Sequence, residues 1–201
     1  ETMYQISQRR KGKVGEMALK LDMSKAYDRV EWGCLERIML KMGFAEKWVA
    51  LIMRCICLVS YAIKINGIPR GHIIPSRGLR QGDPLSPYLF LICAEGLSAM
   101  LHKAVQRRSL SGISVCRRGP KISHLFFVDD SIIFGRATKA EGVEILRILK
   151  VYEASSGKLL NNQKTSLFFS RNTKGEVQTK IKTMFGAQVI KQHETYLGLP
   201  S

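Results

Sequence analysis

Acidic residues are scarce in this 201-residue chain. Sixteen Asp and Glu oppose 32 Lys and Arg, which leaves a formal net charge of +16 at pH 7 and a pI near 9.9. A surface this short of negative charge attracts polyanions, because each cation set against a phosphate releases condensed counterions. Nucleic acid is the commonest such partner, although a merely soluble basic surface gives the same composition.

Long apolar runs and paired cysteines are lacking too. The longest apolar stretches, residues 48–59 and 85–101, are interrupted by Arg54 and Glu95, so we expect no membrane span. The five cysteines are an odd number without the paired spacing of a zinc site, which favours reduced core thiols in an intracellular protein. No secretory signal is present, and the opening Glu1 is expected of an excerpt from a longer protein.

The apolar pattern predicts several short strands joined by tight turns. Strands are predicted at residues 17–21, 61–65, 122–127, 131–134 and 164–170. The first ends at Asp22, and the second leads into Asn66-Gly67, which favours a two-residue hairpin turn. The third and fourth flank Asp129 and Asp130, so we expect a hairpin with both carboxylates at its apex.

Helix signals alternate with these strands. Helices are predicted over residues 32–42, 45–59, 86–108, 138–157 and 173–186. The third begins at Ser86, which can cap free amides and precedes a proline. The last two open on the capping-box pairs Thr138 with Glu141 and Thr173 with Glu176, and a glycine closes each. The interleaved elements predict an α+β domain with a mainly antiparallel sheet.

Three acids at strand ends are the strongest chemical signal. Adjacent Asp residues are common in turns for backbone reasons alone, but Asp129 and Asp130 emerge from strongly apolar segments. If their hairpin neighbours the strand that ends at Asp22, the carboxylates converge and repel by about 1–4 kcal/mol per pair. Divalent cations relieve that repulsion, and hard oxygen ligands favour Mg²⁺. Two such ions support an in-line displacement at phosphorus.

The residues around these acids carry a family resemblance. Asp22 lies in LDMSKAYDRVEW, Asp129 and Asp130 lie in FVDD, and RGLRQGDPLSPYLF stands between them. These segments resemble motifs A, C and B of reverse transcriptases, respectively. SSGKLLNNQKT at 155–165 resembles motif D, and YLGLP at 196–200 resembles motif E, the primer-grip region. The chain is therefore similar to LINE-type (non-LTR) retrotransposon reverse transcriptases, and its motif sequences most resemble those of plant elements.

The resemblance implies a right-hand polymerase palm, with an antiparallel sheet packed by helices, and part of the fingers. Residues 1–17 would end the fingers segment. Residues 18–185 would form the palm, including a finger-proximal insertion at about 44–80. Residues 186–201 would form the primer-grip strand that leads to a thumb beyond Ser201.

The implied function is RNA-directed DNA polymerisation in retrotransposition, with two Mg²⁺ ions (or Mn²⁺) as cofactors. The expected partners are an RNA template, a DNA primer and a dNTP, with no membrane, in the nucleus and cytoplasm of the cell. Oligomeric state is not predicted. One alternative is a catalytically inactive nucleic-acid-binding remnant of a decayed or host-retained element. Another is a different palm polymerase, such as an intron-type reverse transcriptase or a viral RNA polymerase.

The resemblance also assigns the reacting groups. Asp22 and Asp129 would bind both catalytic metals, with Asp130 as a supporting acid in the same metal site. Lys164 is the candidate cation and general acid near the pyrophosphate, with Lys158 as its rival. A solvated lysine at a strand edge is the alternative interpretation of Lys164.

Nucleotide contacts are implied by motifs A and B. The Met23 carbonyl would assist the metals, and the Tyr27 ring would exclude a ribose 2′-hydroxyl, although packing against Trp32 explains Tyr27 equally. Gln81 and Gly82 would line the nucleotide and template pocket, where glycine permits close backbone approach.

Nucleic-acid contacts complete the predicted site. A basic group without acids would track template or primer phosphates, unless it is simply a solvated face; it comprises Arg107, Arg108, Arg117, Arg118 and Lys121. The primer grip would be formed by Tyr196, Leu197 and Gly198.

Overall fold

The computed structural model describes residues 14–114, 119–127, 130–161 and 164–190. Within these ranges the helices are α1 Trp32–Lys41, α2 Glu46–Cys57, α3 Ser86–Gln106, α4 Lys139–Ser156 and α5 Gly175–Phe185. The strands are β1 Glu16–Leu21, β2 Met23–Ser24, β3 Tyr61–Ile65, β4 Ile68–Ile73, β5 Ile113–Ser114, β6 Lys121–Ile122, β7 His124–Phe127, β8 Asp130–Arg136, β9 Leu159–Leu160, β10 Ser166–Phe169 and β11 Gln188–Val189. The predicted α+β class is confirmed.

A five-stranded sheet has the strand order β11-β10-β1-β8-β7. Strand β1 lies antiparallel between β10 and β8, and β7 is antiparallel to β8, while β11 runs parallel to β10. Successive side chains of a strand point to opposite faces. Ala18 therefore packs with Ile132 and Phe134 on one face, while Leu19 and Leu21 are fully buried on the other. Burial on both faces fixes the register, because a slip of one residue would exchange the faces.

The chain divides into two compact units. Among the described residues, the sheet unit comprises 14–24, 97–151 and 160–190 with their gaps, and the helix–hairpin unit comprises 25–96 and 152–159. This division does not test the predicted assignment of fingers, palm insertion and primer-grip segments, which stays a prediction.

The helix–hairpin unit begins with α1 and α2, which Gly43 separates as predicted. Gly43 has a φ of +88°, a conformation that ends a helix at little cost only for glycine. Further along, Asn66 and Gly67 both adopt positive φ, at +48° and +85°, and form the predicted tight turn between β3 and β4. Every residue of these two strands is exposed, so the alternation in 61–65 does not mark a buried face.

Helix starts differ from the predictions in detail. The Thr138 hydroxyl accepts from the Glu141 amide (3.3 Å) as predicted. The buried Glu141 carboxylate, however, accepts from Arg136 and Ser111 amides instead of closing the box, so it ties α4 to neighbouring backbone. The second capping prediction is wrong, because Lys174 occupies the cap position of α5 and supplies no side-chain cap bond.

The thiols and α3 also qualify two expectations. Cys34 and Cys93 are buried, but Cys55 is exposed, so the prediction that the cysteines are core thiols is wrong at that position. Helix α3 is long and apolar enough to cross a membrane by length and composition, which is weak support for a span because a buried core helix passes the same test. Its buried side chains include Leu89, Phe90 and Cys93.

Candidate active site

The sheet brings Asp22 and Asp130 to the same end of a strand ladder. In the β1–β8 ladder Lys20 pairs with Ile132 and Leu21 with Ser131. Asp22 follows the last residue of β1, and Asp130 precedes Ser131 as the first residue of β8, so both acids adjoin the same end of this ladder. Convergence of their carboxylates stays a prediction.

A lysine of β1 contacts one of these two acids. Lys20 lies two residues before Asp22, and its Nζ lies 3.6 Å from Oδ1 of Asp130. Both side chains are partly exposed, at 36% and 28%. Water screens such a pair, so its contribution to stability is about 0–1 kcal/mol. The Lys20 cation thus partly neutralises Asp130 through a weak interaction.

Asp130 does not stand at the apex of the hairpin. It is the first residue of β8 and pairs with Phe127, so the prediction of two acids in the turn is corrected for this residue. Asp129 lies outside the described residues. Within the part of the chain that the structure describes, no group of three or more His, Cys, Asp or Glu side chains is placed to hold a metal.

Motif D returns the chain to the end of β1. The Asn161 amide donates to the Asp22 carbonyl (2.9 Å), and the amides of Lys164 and Thr165 both donate to the Asn161 carbonyl. This turn places the exposed Lys164 on a segment bonded to the backbone of a candidate catalytic acid. The rival Lys158 is only 2% exposed. Burial makes Lys158 a poor proton donor to a solvent-borne substrate.

In the helix–hairpin unit, the start of motif B docks on the turn after motif A. The Gly78 amide donates to the Val30 carbonyl (2.8 Å), and the Leu79 amide donates to the Tyr27 carbonyl (2.9 Å). The Trp32 indole Nε1 donates to the Gly78 carbonyl (2.7 Å). Motifs that lie about fifty residues apart in the sequence are therefore held together by three backbone-directed hydrogen bonds.

The Tyr27 ring packs on Phe90 of α3. The two ring centroids lie 4.6 Å apart with an interplanar angle of 9°. The stacking partner that the structure gives Tyr27 is Phe90, while the Trp32 indole donates to the Gly78 carbonyl. The Lys158 Nζ lies 3.7 Å from the centroid of the same Phe90 ring. One aromatic side chain of motif B thus contacts both a motif A tyrosine and a motif D lysine.

The remaining predicted residues are placed as follows. Gln81 and Gly82 form an exposed turn, in which Gly82 has a φ of +85°, and Met23 is partly buried. Exposed basic side chains of the predicted group are Arg107, Arg108 and Lys121. The predicted residues outside the described ranges, besides Asp129, are Arg117, Arg118, Tyr196, Leu197 and Gly198.

Comparison with known proteins decides the family. A sequence profile described as reverse transcriptase (RNA-dependent DNA polymerase) matches residues 2–200. The chain belongs to this reverse transcriptase family. An uncharacterised mitochondrial protein of Arabidopsis thaliana is 55% identical over 67 residues, which cover 33% of this chain and 55% of that protein. A Retrovirus-related Pol polyprotein from type-1 retrotransposable element R2 of Popillia japonica is 28% identical over 88% of this chain and 28% of that protein.

Solved structures share the fold of this reverse transcriptase. Apo telomerase from Candida tropicalis, truncated from its C-terminal domain, superposes with a TM-score of 0.60 at 17% identity, over 84% of this chain and 33% of that chain. Telomerase from Candida albicans with a fragment of telomeric RNA gives 0.54 at 18% identity, over 76% of this chain and 26% of that one. These likenesses show the shared fold, and the chain spans about half or less of its relatives. The predicted LINE-type reverse transcriptase resemblance is confirmed.

Sequence reasoning missed three residues of this reverse transcriptase site. Lys20 was detectable, because a residue two positions before Asp22 in a strand must share its face. Phe90 and Gly78 stand inside the quoted motif B, but their partners lie far away in sequence. Only the fold reveals that Phe90 supports Tyr27 and that Gly78 receives the Trp32 indole.

Proposed function

We propose that this chain is the palm of an RNA-directed DNA polymerase that extends a primer during retrotransposition of a LINE-type element. The 3′-hydroxyl of a DNA primer attacks the α-phosphate of a dNTP paired with an RNA template, and pyrophosphate leaves. The observation that carries the proposal is that Asp22 and Asp130 adjoin the same end of the β1–β8 ladder, whose last pair is Leu21 with Ser131. Such a protein acts in the nucleus after its synthesis in the cytoplasm.

The two described carboxylates suit a divalent cation by their chemistry. Asp22 and Asp130 offer hard oxygen ligands, which Mg²⁺ prefers and Mn²⁺ accepts, and the family motif adds Asp129. Bound by these residues, two ions would activate the primer hydroxyl and neutralise the charge on the leaving group. The Lys20 contact with Asp130 is consistent with a supporting role for this acid, because that carboxylate already shares a cation of the protein.

The leaving pyrophosphate needs a proton, and Lys164 is the proposed donor. Its ammonium is exposed, and its turn is bonded to the Asp22 backbone through Asn161. Proton transfer requires a donor within hydrogen-bond reach of the leaving oxygen, which a buried side chain does not provide. The 2% exposure of Lys158 therefore favours Lys164 for this step.

Nucleotide selection falls to motifs A and B in this proposal. The rigid Tyr27 ring, backed by the buried Phe90 ring, would exclude a ribose 2′-hydroxyl by steric conflict. The Met23 carbonyl and the turn of Gln81 and Gly82 would contact the nucleotide and template. The exposed cations Arg107, Arg108 and Lys121 would bind backbone phosphates.

The test is Mg²⁺-dependent primer extension on an RNA template. It is run on the 201-residue chain and on the same chain joined to the flanking residues of its own reading frame. Asp22→Asn removes one ligand charge with almost no change in volume, and it is compared with Glu36→Gln, a matched change of an exposed acid on α1. We expect incorporation to fall at least a thousandfold in the first variant, a barrier increase of about 4 kcal/mol.

Binding measurements separate the proposal from its alternative. RNA affinity of Asp22→Asn should stay close to that of the unmodified chain, because phosphate contacts lie elsewhere. Equal incorporation by Asp22→Asn and Glu36→Gln would refute the assignment of the acids. RNA binding without incorporation in both forms of the unmodified chain, with Mg²⁺ or Mn²⁺, would identify a non-catalytic nucleic-acid-binding remnant instead.

A further inference from the structure

A lysine is buried behind the aromatic pair in the helix–hairpin unit. Lys158 follows α4 by two residues and is 2% exposed, although lysine is rarely buried without a partner. Gly157 before it has a φ of +72°, and a Cβ built there would meet the Arg29 carbonyl oxygen at 2.6 Å. The Lys158 amide also donates to the Ser156 hydroxyl (3.3 Å). The chain is thus closely packed just before the position where Lys158 enters the core.

The Lys158 ammonium, the Phe90 ring and the Tyr27 ring form a column. Nζ lies 3.7 Å from the Phe90 centroid and 5.8 Å from the Tyr152 centroid. Rings stacked at 4.6 Å leave no room for an ammonium between them, so Nζ occupies the Phe90 face that Tyr27 leaves open. Phe90 is 3% exposed, whereas Tyr27 is only partly buried. The column therefore runs from a buried cation to an accessible ring.

A neutral side chain would fill this space at lower cost. Burial lowers the pKa of Lys158 to about 8, and the thiols of Cys93 and Cys34 oppose that shift only in part. Burial raises the pKa of Cys93 to about 12 and also raises that of Cys34, where Arg37 and Glu31 act as well. The pKa of the Tyr152 phenol is raised for the same reason. Near pH 7 the two thiols and the phenol are neutral and Lys158 is charged, so the cation faces aromatic rings.

We propose that Lys158 is a positioning residue for sugar selection, whose ammonium anchors the Phe90 ring that orients Tyr27. A cation over an aromatic face is attracted by the ring quadrupole, and it draws π density away from the opposite face. The electron-rich Tyr27 ring then stacks more firmly on that opposite face. This inference rests on the proposed function, in which Tyr27 excludes the ribose 2′-hydroxyl. Lys158 touches no reacting atom in it.

The test measures kcat and KM for single dNTP and rNTP additions in the active form of the protein. Lys158→Met keeps the length of the side chain and removes the charge, and Lys150→Met is the matched change of an exposed lysine on α4. We expect Lys158→Met to lower the dNTP-over-rNTP preference roughly threefold to tenfold. The change should come mainly from a lower KM for rNTP, with kcat for dNTP nearly unchanged. Lys150→Met should retain the original preference.

A pH series distinguishes the charge from the shape of the side chain. In the unmodified protein the preference should fall between pH 7 and 9, with a midpoint near the Lys158 pKa of about 8. The preference of Lys158→Met should lack this step. Because deprotonation removes the charge without changing the heavy atoms, the series decides the matter even where Lys158→Met fails to fold. A preference independent of both pH and the substitution would overturn the proposal.

An NMR measurement on the 201-residue chain separates failure of this inference from failure of the polymerase function. The Tyr27 ring resonances should shift with pH with a midpoint near 8 in the unmodified chain and show no such step in Lys158→Met. If the chain shows this titration but no polymerase activity, the column is supported and the proposed function is refuted. Tyr27 resonances that ignore the Lys158 charge would refute the positioning role, whatever the activity.

Discussion

Gly78→Ala should destabilise the folded protein, because the substitution carries two separate energetic penalties. Gly78 has a φ of +92°, which L residues adopt at a cost of about 1–2 kcal/mol. A Cβ at this position would also lie 2.8 Å from the Asp28 carbonyl oxygen and 3.2 Å from two further backbone atoms of Asp28. Because those atoms belong to the backbone, no side-chain rotation can relieve the contact.

A shift of the motif B loop is needed to relieve this contact. Such a shift stretches the hydrogen bonds that Gly78 makes with Val30 and with the Trp32 indole, at 2.8 and 2.7 Å. Each bond contributes about 0.5–1.5 kcal/mol net. Adding the backbone penalty, we expect Gly78→Ala to lower the free energy of unfolding by about 2–4 kcal/mol.

Gly67→Ala is the matched control for this prediction. Gly67 has a similar φ of +85°, but a Cβ built on it meets nothing within 4 Å. Urea unfolding monitored by circular dichroism gives both free energies, and their difference isolates the contact with Asp28. We expect Gly78→Ala to be destabilised by at least about 1 kcal/mol more than Gly67→Ala. Equal losses would refute the close docking of the motif B loop.

Two further predictions concern charge. Lys20→Met should tighten Mn²⁺ binding roughly fivefold in calorimetry, because removing a cation near Asp130 relieves about 1 kcal/mol of repulsion; equal affinity in Lys20→Met and Lys41→Met would contradict it. Burial and the nearby His102 lower the pKa of His124 to about 4. As the pH falls below 6.5, the unfolded chain therefore binds a proton at His124 before the folded protein does. Between pH 7 and 4 the free energy of unfolding should fall by up to about 3 kcal/mol more in the unmodified protein than in His124→Gln. His72→Gln, a change of an exposed histidine, should retain the full fall.

Local features were predictable because neighbouring residues decide them. Asn66 and Gly67 set their own turn, and Gly43 ends α1, without help from distant parts of the chain. The Thr173 cap failed because its hydroxyl instead lies 3.1 Å from the Ser170 hydroxyl, a competing local partner. Hydroxyl side chains often choose between such partners, and the sequence pattern alone does not rank them.

The candidate site was predictable only where the strand period constrains it. The position of Asp22 at the end of a buried strand followed from its apolar neighbours, but the pairing of that strand with β8, which begins at Asp130, spans more than a hundred residues. That pairing was expected from the family motifs and required the fold to be seen. Burial of Lys158 was invisible, since its partner Phe90 lies in another motif and lysine is usually exposed.

The two lysines show how burial separates roles for one residue type. Lys20 is partly in water, so its contact with Asp130 is weak and a divalent ion can displace it at small cost. Lys158 is enclosed, so its ammonium, which lies over the Phe90 ring, exchanges poorly with solvent or with an ion. Its field therefore acts persistently on the Phe90 ring. In the proposed function, the labile Lys20 cation would yield to a metal ion at Asp130, whereas the fixed Lys158 cation would keep the Phe90 ring, and with it the Tyr27 ring, in place.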